Sequence, residues 1–204
     1  PVSGGQAGAE NGALTVMIGG DQADFEKAIN ITVNSKAPRP GVCNAMETLL
    51  VDKSCAEAIL PAVADALQEK GVELRCCENA KRIIGETAKA ATKEDWDTEY
   101  LDLIMALRVV NNVEAAIAHI DQHGSNHTAC IVTENSETAE KFAREIDASC
   151  VIINASTRFN DGGELGLGAE MGISTTRIHA YGPMGVEALT AEKFVIRGDG
   201  QIRG

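Results

Sequence analysis

A cysteine at a proline-glycine turn is the residue of this chain best placed for covalent chemistry. Cys43 lies in the run APRPGVCN, beside Asn44 and just ahead of the apolar stretch ETLLVDK. A thiol at such an element boundary can be met by backbone N–H groups, which would also hold a developing oxyanion. Cys43 is therefore the candidate nucleophile, with Asn44 beside it in the catalytic loop. An unperturbed thiol is ionised to only roughly a few per cent at neutral pH, so attack needs nearby positive charge or a helix N-terminus. Arg39 is the nearest cation in sequence. The plainer alternative is a half-buried cysteine that only packs.

A second group follows the apolar run CVIIN. Ligands of open parallel sheets gather beyond the carboxyl ends of strands, which makes the NASTR run, with Asn154, Ser156, Thr157 and Arg158, a candidate substrate contact. Arg158 suits a phosphate or carboxylate, or it pairs with Asp161 or Glu164. The glycine-rich run GGELGLG at 162–168 neither matches G-x-G-x-x-G nor leads a strand into a helix, so it is no dinucleotide fingerprint. Its glycines allow tight backbone around a site, with Glu170 a candidate contact to cofactor or substrate, or else a solvated carboxylate. His119 and His123 stand four apart, a spacing able to hold a metal, but no third ligand accompanies them. Near a helix end they complement the helix dipole instead, and no metal site is expected. Structural hydrogen bonding is the expected role of His127 and His179.

The elements that must position these groups read as α/β. After a small-residue linker, PVSGGQAGAENG, comes a strand LTVMI, then a turn at Gly19–Asp21 that caps a helix over 22–35, ended by Pro38 and Pro40. ETLLVDK reads as a strand, and Ser54 to Glu57 as a capping box before an apolar face at Ile59, Leu60, Val63 and Leu67. Gly71 closes that helix. VELRCC reads as the next strand, and 78–95 as an irregular connection with a short helix at AKRIIG. From residue 106 the pattern is regular: ALRVV, the cap Asn112, the helix VEAAIAHIDQH ending before Gly124, TACIVT, the helix ETAEKFAREI, and CVIIN. Strands joined by helices in this way make a parallel sheet covered on both faces. EKFVIRG reads as a final strand, an edge able to pair with a second chain in a homo-oligomer.

Composition excludes several classes of partner. A net charge of −12, with no clustering of the 18 Lys and Arg residues, argues against nucleic acid. Aromatics at 3% leave no platform for stacking bases. No apolar run reaches the roughly 18 residues of a membrane span. Six cysteines without C-x-x-C spacing or a secretory signal fit a reducing, cytoplasmic setting.

The stretch NSKAPRPGVCNAMETLLVDK resembles the active-site segment of gamma-glutamyl phosphate reductases, of the aldehyde dehydrogenase superfamily. The match is carried by Asn34, Lys36, Arg39, Pro40, Cys43, Asn44, Glu47 and the Thr48–Val51 run. A second block, VIINASTRFNDGGELGLGAEMGISTTRIHAYGPMGVEALT, is similar to that family's C-terminal signature, and the likeness covers roughly 22–203. The sequence departs from the family at GALTVMIGGD, where a Gly-x-Cys-His stretch is usual, and at Tyr181, where Arg is usual.

The resemblance implies an aldehyde-dehydrogenase-type catalytic domain over 22–185. Residues 1–21 would be a linker or the remnant of a cofactor domain, and 186–204 a C-terminal strand or tail. It implies NADPH-dependent reduction of the small-molecule acyl phosphate L-glutamyl 5-phosphate through a Cys43 thioester. The chain would then be the catalytic domain or a shortened form, with the cofactor domain largely absent. Two other outcomes stay open: a non-catalytic α/β domain that binds ligand or mediates assembly, and cofactor-free hydrolysis of an acyl phosphate.

Overall fold

The computed structural model describes residues 13–19 and 25–204. The linker expected over the first twelve residues, the end of the Gly19–Asp21 turn and the expected helix start at 22–24 lie outside the described residues. The elements in order are β1 (Ala13–Ile18), α1 (Phe25–Lys36), β2 (Thr48–Asp52), α2 (Lys53–Gln68), β3 (Glu73–Cys76), α3 (Glu78–Ile84), β4 (Lys89–Ala90), β5 (Ile104–Val110), α4 (Val113–His123), β6 (Gly124–Val132), α5 (Ser136–Glu145) and β7 (Cys150–Ile153). A short antiparallel pair follows, β8 (Gly172–Ser174) with β9 (Gly182–Met184).

The first seven strands form one sheet in the order β4-β3-β5-β2-β1-β6-β7, and its pairings are parallel. Chain direction explains which face each helix covers. From β1 through β2 and β3 to β4 the chain steps one way across the sheet, and from β5 through β6 to β7 it steps the other way. Right-handed crossovers then send the two sets of helices to opposite faces. The cores show this. Val16, Leu49, Leu107 and Cys130 pack with residues of α1, α2 and α3, whereas Met17, Leu50, Val110 and Ile131 pack under α4 and α5 around Phe142. Adjacent residues such as Leu49 and Leu50 therefore serve different cores, and the interior strands read as continuous apolar runs because both faces are buried.

Caps fix the helices. Asn112 accepts from the Ala115 N–H and Asn135 from the Thr138 N–H. Gly124 follows α4 so tightly that a Cβ there would meet the Ile120 carbonyl oxygen at 2.5 Å. The capping box at Ser54 is not what forms. Asp52 caps α2 by accepting from the Ser54 N–H at 2.8 Å and its hydroxyl at 2.6 Å, while Glu57 pairs with Arg82. With its hydroxyl spent on Asp52, Ser54 sits inside the first turn. The 78–95 connection is also more ordered than expected, with α3 and the edge strand β4.

No strand forms at EKFVIRG. Phe194 is 95% exposed and Ile196 93% exposed, and no neighbouring strand among the described residues supplies partners for the backbone there. A strand needs such partners, which apolar content alone does not provide.

Candidate active site

The nucleophile loop is drawn closed at its base. Lys36 ends α1, Glu47 precedes β2, and the Met46 N–H donates to the Ser35 carbonyl at 2.9 Å. The ten residues between this pair, 37–46, carry Cys43, which is half-buried. The loop opens on a cavity of about 410 Å³ lined by Arg39, Gly41, Val42, Cys43, Asn44, Glu99, Leu101, Arg158, Asp161 and Glu170. Arg39, Cys43, Arg158 and Glu170, expected from separate stretches of sequence, thus face one space.

This cavity lies at the amino ends of β2 and β5, because the 39–44 and 99–101 walls precede those strands. That corrects the expectation of a site beyond the carboxyl ends. After β7 the chain turns at Asn154, whose φ is +56°, and runs back along the sheet, so that Asn160 donates at 2.8 Å to Thr128 of β6, which stands level with Cys150 at the start of β7. The return brings Arg158 to the opposite end from where β7 stops.

The return segment separates the expected substrate contacts into two kinds. Asn154 binds the backbone of Thr133 twice, accepting from its N–H and donating to its carbonyl, and it does not line the cavity. Ser156 faces Ser35 and caps the following turn by accepting from the Arg158 N–H. Thr157 is fully buried and donates to the Asn44 carbonyl at 2.7 Å. These three residues build the wall and do not reach the cavity. Asn44 lines it, but its amide donates to the carbonyls of Arg158 and Asn160 at 3.4 and 3.0 Å, stitching the cysteine loop to the return segment. Arg158 does face the space, and it forms no ion pair with Asp161 or Glu164 among the described residues. Its Nη1 is buried without a hydrogen-bond partner. Asp161 instead accepts from the N–H groups of Gly163 and Glu164.

The sulfur is held as a thiol. Burial pushes the Cys43 pKa above its ordinary value, and the Glu170 and Glu99 carboxylates push the same way, while a backbone N–H and the Arg158 guanidinium pull against them. Arg39 stays on the exposed rim, so Arg158 supplies the positive charge expected of Arg39. Glu170 is fixed where it presses on the sulfur by accepting from the Gly162 N–H at 2.8 Å. Gly162 must be glycine there, since a Cβ would meet the Ala169 carbonyl oxygen at 2.7 Å and the Glu170 Cβ at 2.8 Å. For contrast, burial pushes the Cys130 thiol up to about 12 inside β6.

Residues outside this cavity have other duties. His119 Nδ1 faces the Arg108 guanidinium at 3.0 Å, and His123 Nδ1 faces Asp97 at 2.6 Å. His127 pairs with Thr128, and His179 Nε2 donates to the Ala188 carbonyl. Tyr181 stacks under Arg177 and does not line the cavity, so its replacement of the usual Arg does not alter this wall. Missed at the sequence level are Glu99 and Leu101, from an irregular segment without periodicity, and the Lys36–Glu47 ion pair, which is buried to 0% and 1% exposure. Two charges flanking a cysteine loop were its available signal.

None of the residues lining the described cavity comes from the first turn of an α-helix, so the cavity has no row of helix N–H groups to hold the pyrophosphate of a nicotinamide dinucleotide.

Comparison with known proteins places these features. Gamma-glutamyl phosphate reductase of Desulfatibacillum aliphaticivorans is 58% identical over 181 residues, 89% of this chain and 43% of the relative. The crystal structure of gamma-glutamyl phosphate reductase from Thermotoga maritima superposes with a TM-score of 0.86 at 48% identity, over 96% of this chain and 47% of that one. An acetylating aldehyde dehydrogenase from Geobacillus thermoglucosidasius shares the fold, with a TM-score of 0.66 at 19% identity over 95% of this chain and 53% of that one. The chain spans about half the length of the curated relatives it matches. The NAD binding domain of 6-phosphogluconate dehydrogenase matches residues 1–35. The described part of that match forms β1 and most of α1 and contributes nothing to the cavity lining.

Proposed function

The chain belongs, over 89% of its length, to the gamma-glutamyl phosphate reductase family, and on that premise we propose that Cys43 accepts the acyl group of L-glutamyl 5-phosphate. The observation that carries this reading is the convergence of Cys43, Arg158 and Arg39 on one cavity. Arg158 has a buried, unpartnered N–H to offer a phosphate oxygen, and Arg39 on the rim adds positive charge. The Cys43 thiol loses its proton to solvent and its sulfur bonds to the acyl carbon. The bond from that carbon to the phosphate oxygen breaks, and inorganic phosphate leaves with the electron pair. Thioester formation thus splits a difficult substitution into easier steps. The Cys43 backbone N–H is one donor for the oxyanion.

In the complete reaction of the family the thioester is reduced with NADPH to L-glutamate 5-semialdehyde, in proline biosynthesis. The cavity lining offers no row of helix N–H groups to that cofactor, and Glu170 at the cavity edge is the candidate contact to cofactor or substrate. Residues 22–185 would form the catalytic domain, with 186–204 the tail, and the setting is cytoplasmic.

The test is a rapid-quench assay of inorganic phosphate with glutamyl 5-phosphate or acetyl phosphate and no cofactor. A burst of about one phosphate per chain, absent in Cys43→Ser, is expected. Phosphate release unchanged in Cys43→Ser would overturn the assignment. Continuous release without NADPH, dependent on Cys43, would instead identify hydrolysis of the thioester.

A further inference from the structure

Lys36 and Glu47 are the most deeply buried charges near the cavity, and the acyl transfer proposed for Cys43 makes no direct use of them. Lys36 is the last residue of α1 and Glu47 the last before β2, so together they span the whole Cys43 loop. Lys36 Nζ donates to Glu47 Oε2 at 2.7 Å, with both side chains out of solvent. The other carboxylate oxygen accepts from the Leu101 N–H at 3.4 Å. Leu101 holds a φ of +55° and lines the wall facing Cys43, where its carbonyl oxygen lies 3.4 Å from where a Gly41 Cβ would stand. One carboxylate therefore joins the two ends of the nucleophile loop to each other and to the wall across the cavity.

We propose that Lys36 and Glu47 are positioning residues for Cys43, an ion pair that holds the 37–46 loop against the 99–101 wall and so sets the reactivity of the thiol. The inference rests on the nucleophile reading of Cys43. Removing one partner of a buried pair leaves a charge that must neutralise or draw in water, and either response loosens the loop. Burial raises the Glu47 pKa to about 7 against the opposing pull of Lys36, and burial lowers that of Lys36. The other charged or titratable groups acting on the pair come from the segment before β5: Glu99 and Asp102 act on Lys36, and the Tyr100 ring lies 6.0 Å from its Nζ. The Tyr100 hydroxyl is itself held by Asp95 beside Arg75. The Glu47 carboxyl is thereby brought to change charge near neutrality.

The experiment is iodoacetamide alkylation from pH 5.5 to 10, with Cys43, Cys77 and Cys150 quantified by peptide mass spectrometry in each sample. In the unmodified chain the Cys43 rate, normalised to Cys150, shows an inflection near pH 7 beneath the main rise from thiol ionisation at higher pH. Lys36→Met and Glu47→Gln remove the lower inflection and reduce the normalised rate at least roughly tenfold. Glu47→Asp, which keeps the charge, retains the inflection. Cys77 is unaffected in all variants. A Cys43 profile unchanged in folded Lys36→Met and Glu47→Gln overturns the proposal. Should both variants fail to fold, Glu47→Asp decides, because a normalised Cys43 rate unchanged by drawing the carboxylate back from Lys36 and the Leu101 N–H overturns the proposal as well. Cys43 reacting no faster than Cys150 in the unmodified chain would sink the nucleophile reading, whereas the normalised effect of the two substitutions still decides this one.

Discussion

The sheet and the cavity rim are specified in opposite ways. In the sheet, each residue is fixed by its place in a regular strand: Leu49 faces one core and Leu50 the other, each buried under its own set of helices. The rim has no periodicity. Its groups come from the loop 39–44, the segment 99–101 and the return segment from 158 to 170, held by individual hydrogen bonds such as those of Asn44 and Gly162. Stability should therefore reside in the first region and reactivity in the second, and substitutions in either should move one quantity without the other.

The sharpest way to break that division is at Phe142, which is fully buried on the inner face of α5. Phe142→Ala should destabilise by about 3–5 kcal/mol in urea unfolding while leaving the relative alkylation rate of Cys43 unchanged. A fall in that rate within the folded population would show that the two regions are coupled.

Acid should lower the stability of the sheet and its helices through two buried histidines. Burial lowers the pKa of His127 from 6.5 to about 4 and that of His119 to about 3, so both are neutral in the folded chain. Below pH 6.5 the unfolded chain binds protons that the folded chain refuses, and stability falls until the folded groups also titrate. The loss from His127 is about 3 kcal/mol between pH 6.5 and 4. Urea midpoints across that window check it, and His127→Asn should flatten the slope.

The rim effects are smaller in free energy and confined to chemistry. Arg158→Gln removes a charged donor to phosphate and should slow acyl transfer by about 10- to 100-fold, equivalent to about 1.5–3 kcal/mol, with an unfolding midpoint close to that of the unmodified chain. Glu170→Gln removes a charge that opposes the thiolate. Alkylation of Cys43 at pH 8 should then rise by about threefold, with its midpoint moved down. No rise would mean that burial alone holds the thiol protonated.

The same division explains what could be read in the sequence. The sheet was legible from residue 106 onward because Asn112, Asn135 and Gly124 punctuate apolar runs, and local chemistry there agrees with the tertiary fold. The strand order was not, since nothing local tells β5 to pair with β2 and β3 rather than with β6. Asp52 took the cap from Ser54 because both offer an oxygen at neighbouring positions and only geometry decides between them. At EKFVIRG the apolar run Phe194–Ile196 was genuine, but a strand needs a partner that composition does not reveal. Cys43, Arg158 and Glu170 were identifiable as chemistry-bearing residues. Their meeting at the amino end of the sheet depends on the reversal after Asn154, and that reversal rests on a φ of +56° in an asparagine, which sequence permits without requiring.

The most direct measurement is the site of acylation. After incubation with an acyl phosphate and acid quench, peptide mass spectrometry should find the acyl group on the peptide containing Cys43, as a thioester removed by hydroxylamine, with Cys55, Cys76, Cys77, Cys130 and Cys150 unmodified. An acyl group distributed over several cysteines, or found on any residue but Cys43, would contradict a nucleophile poised at the amino end of β2.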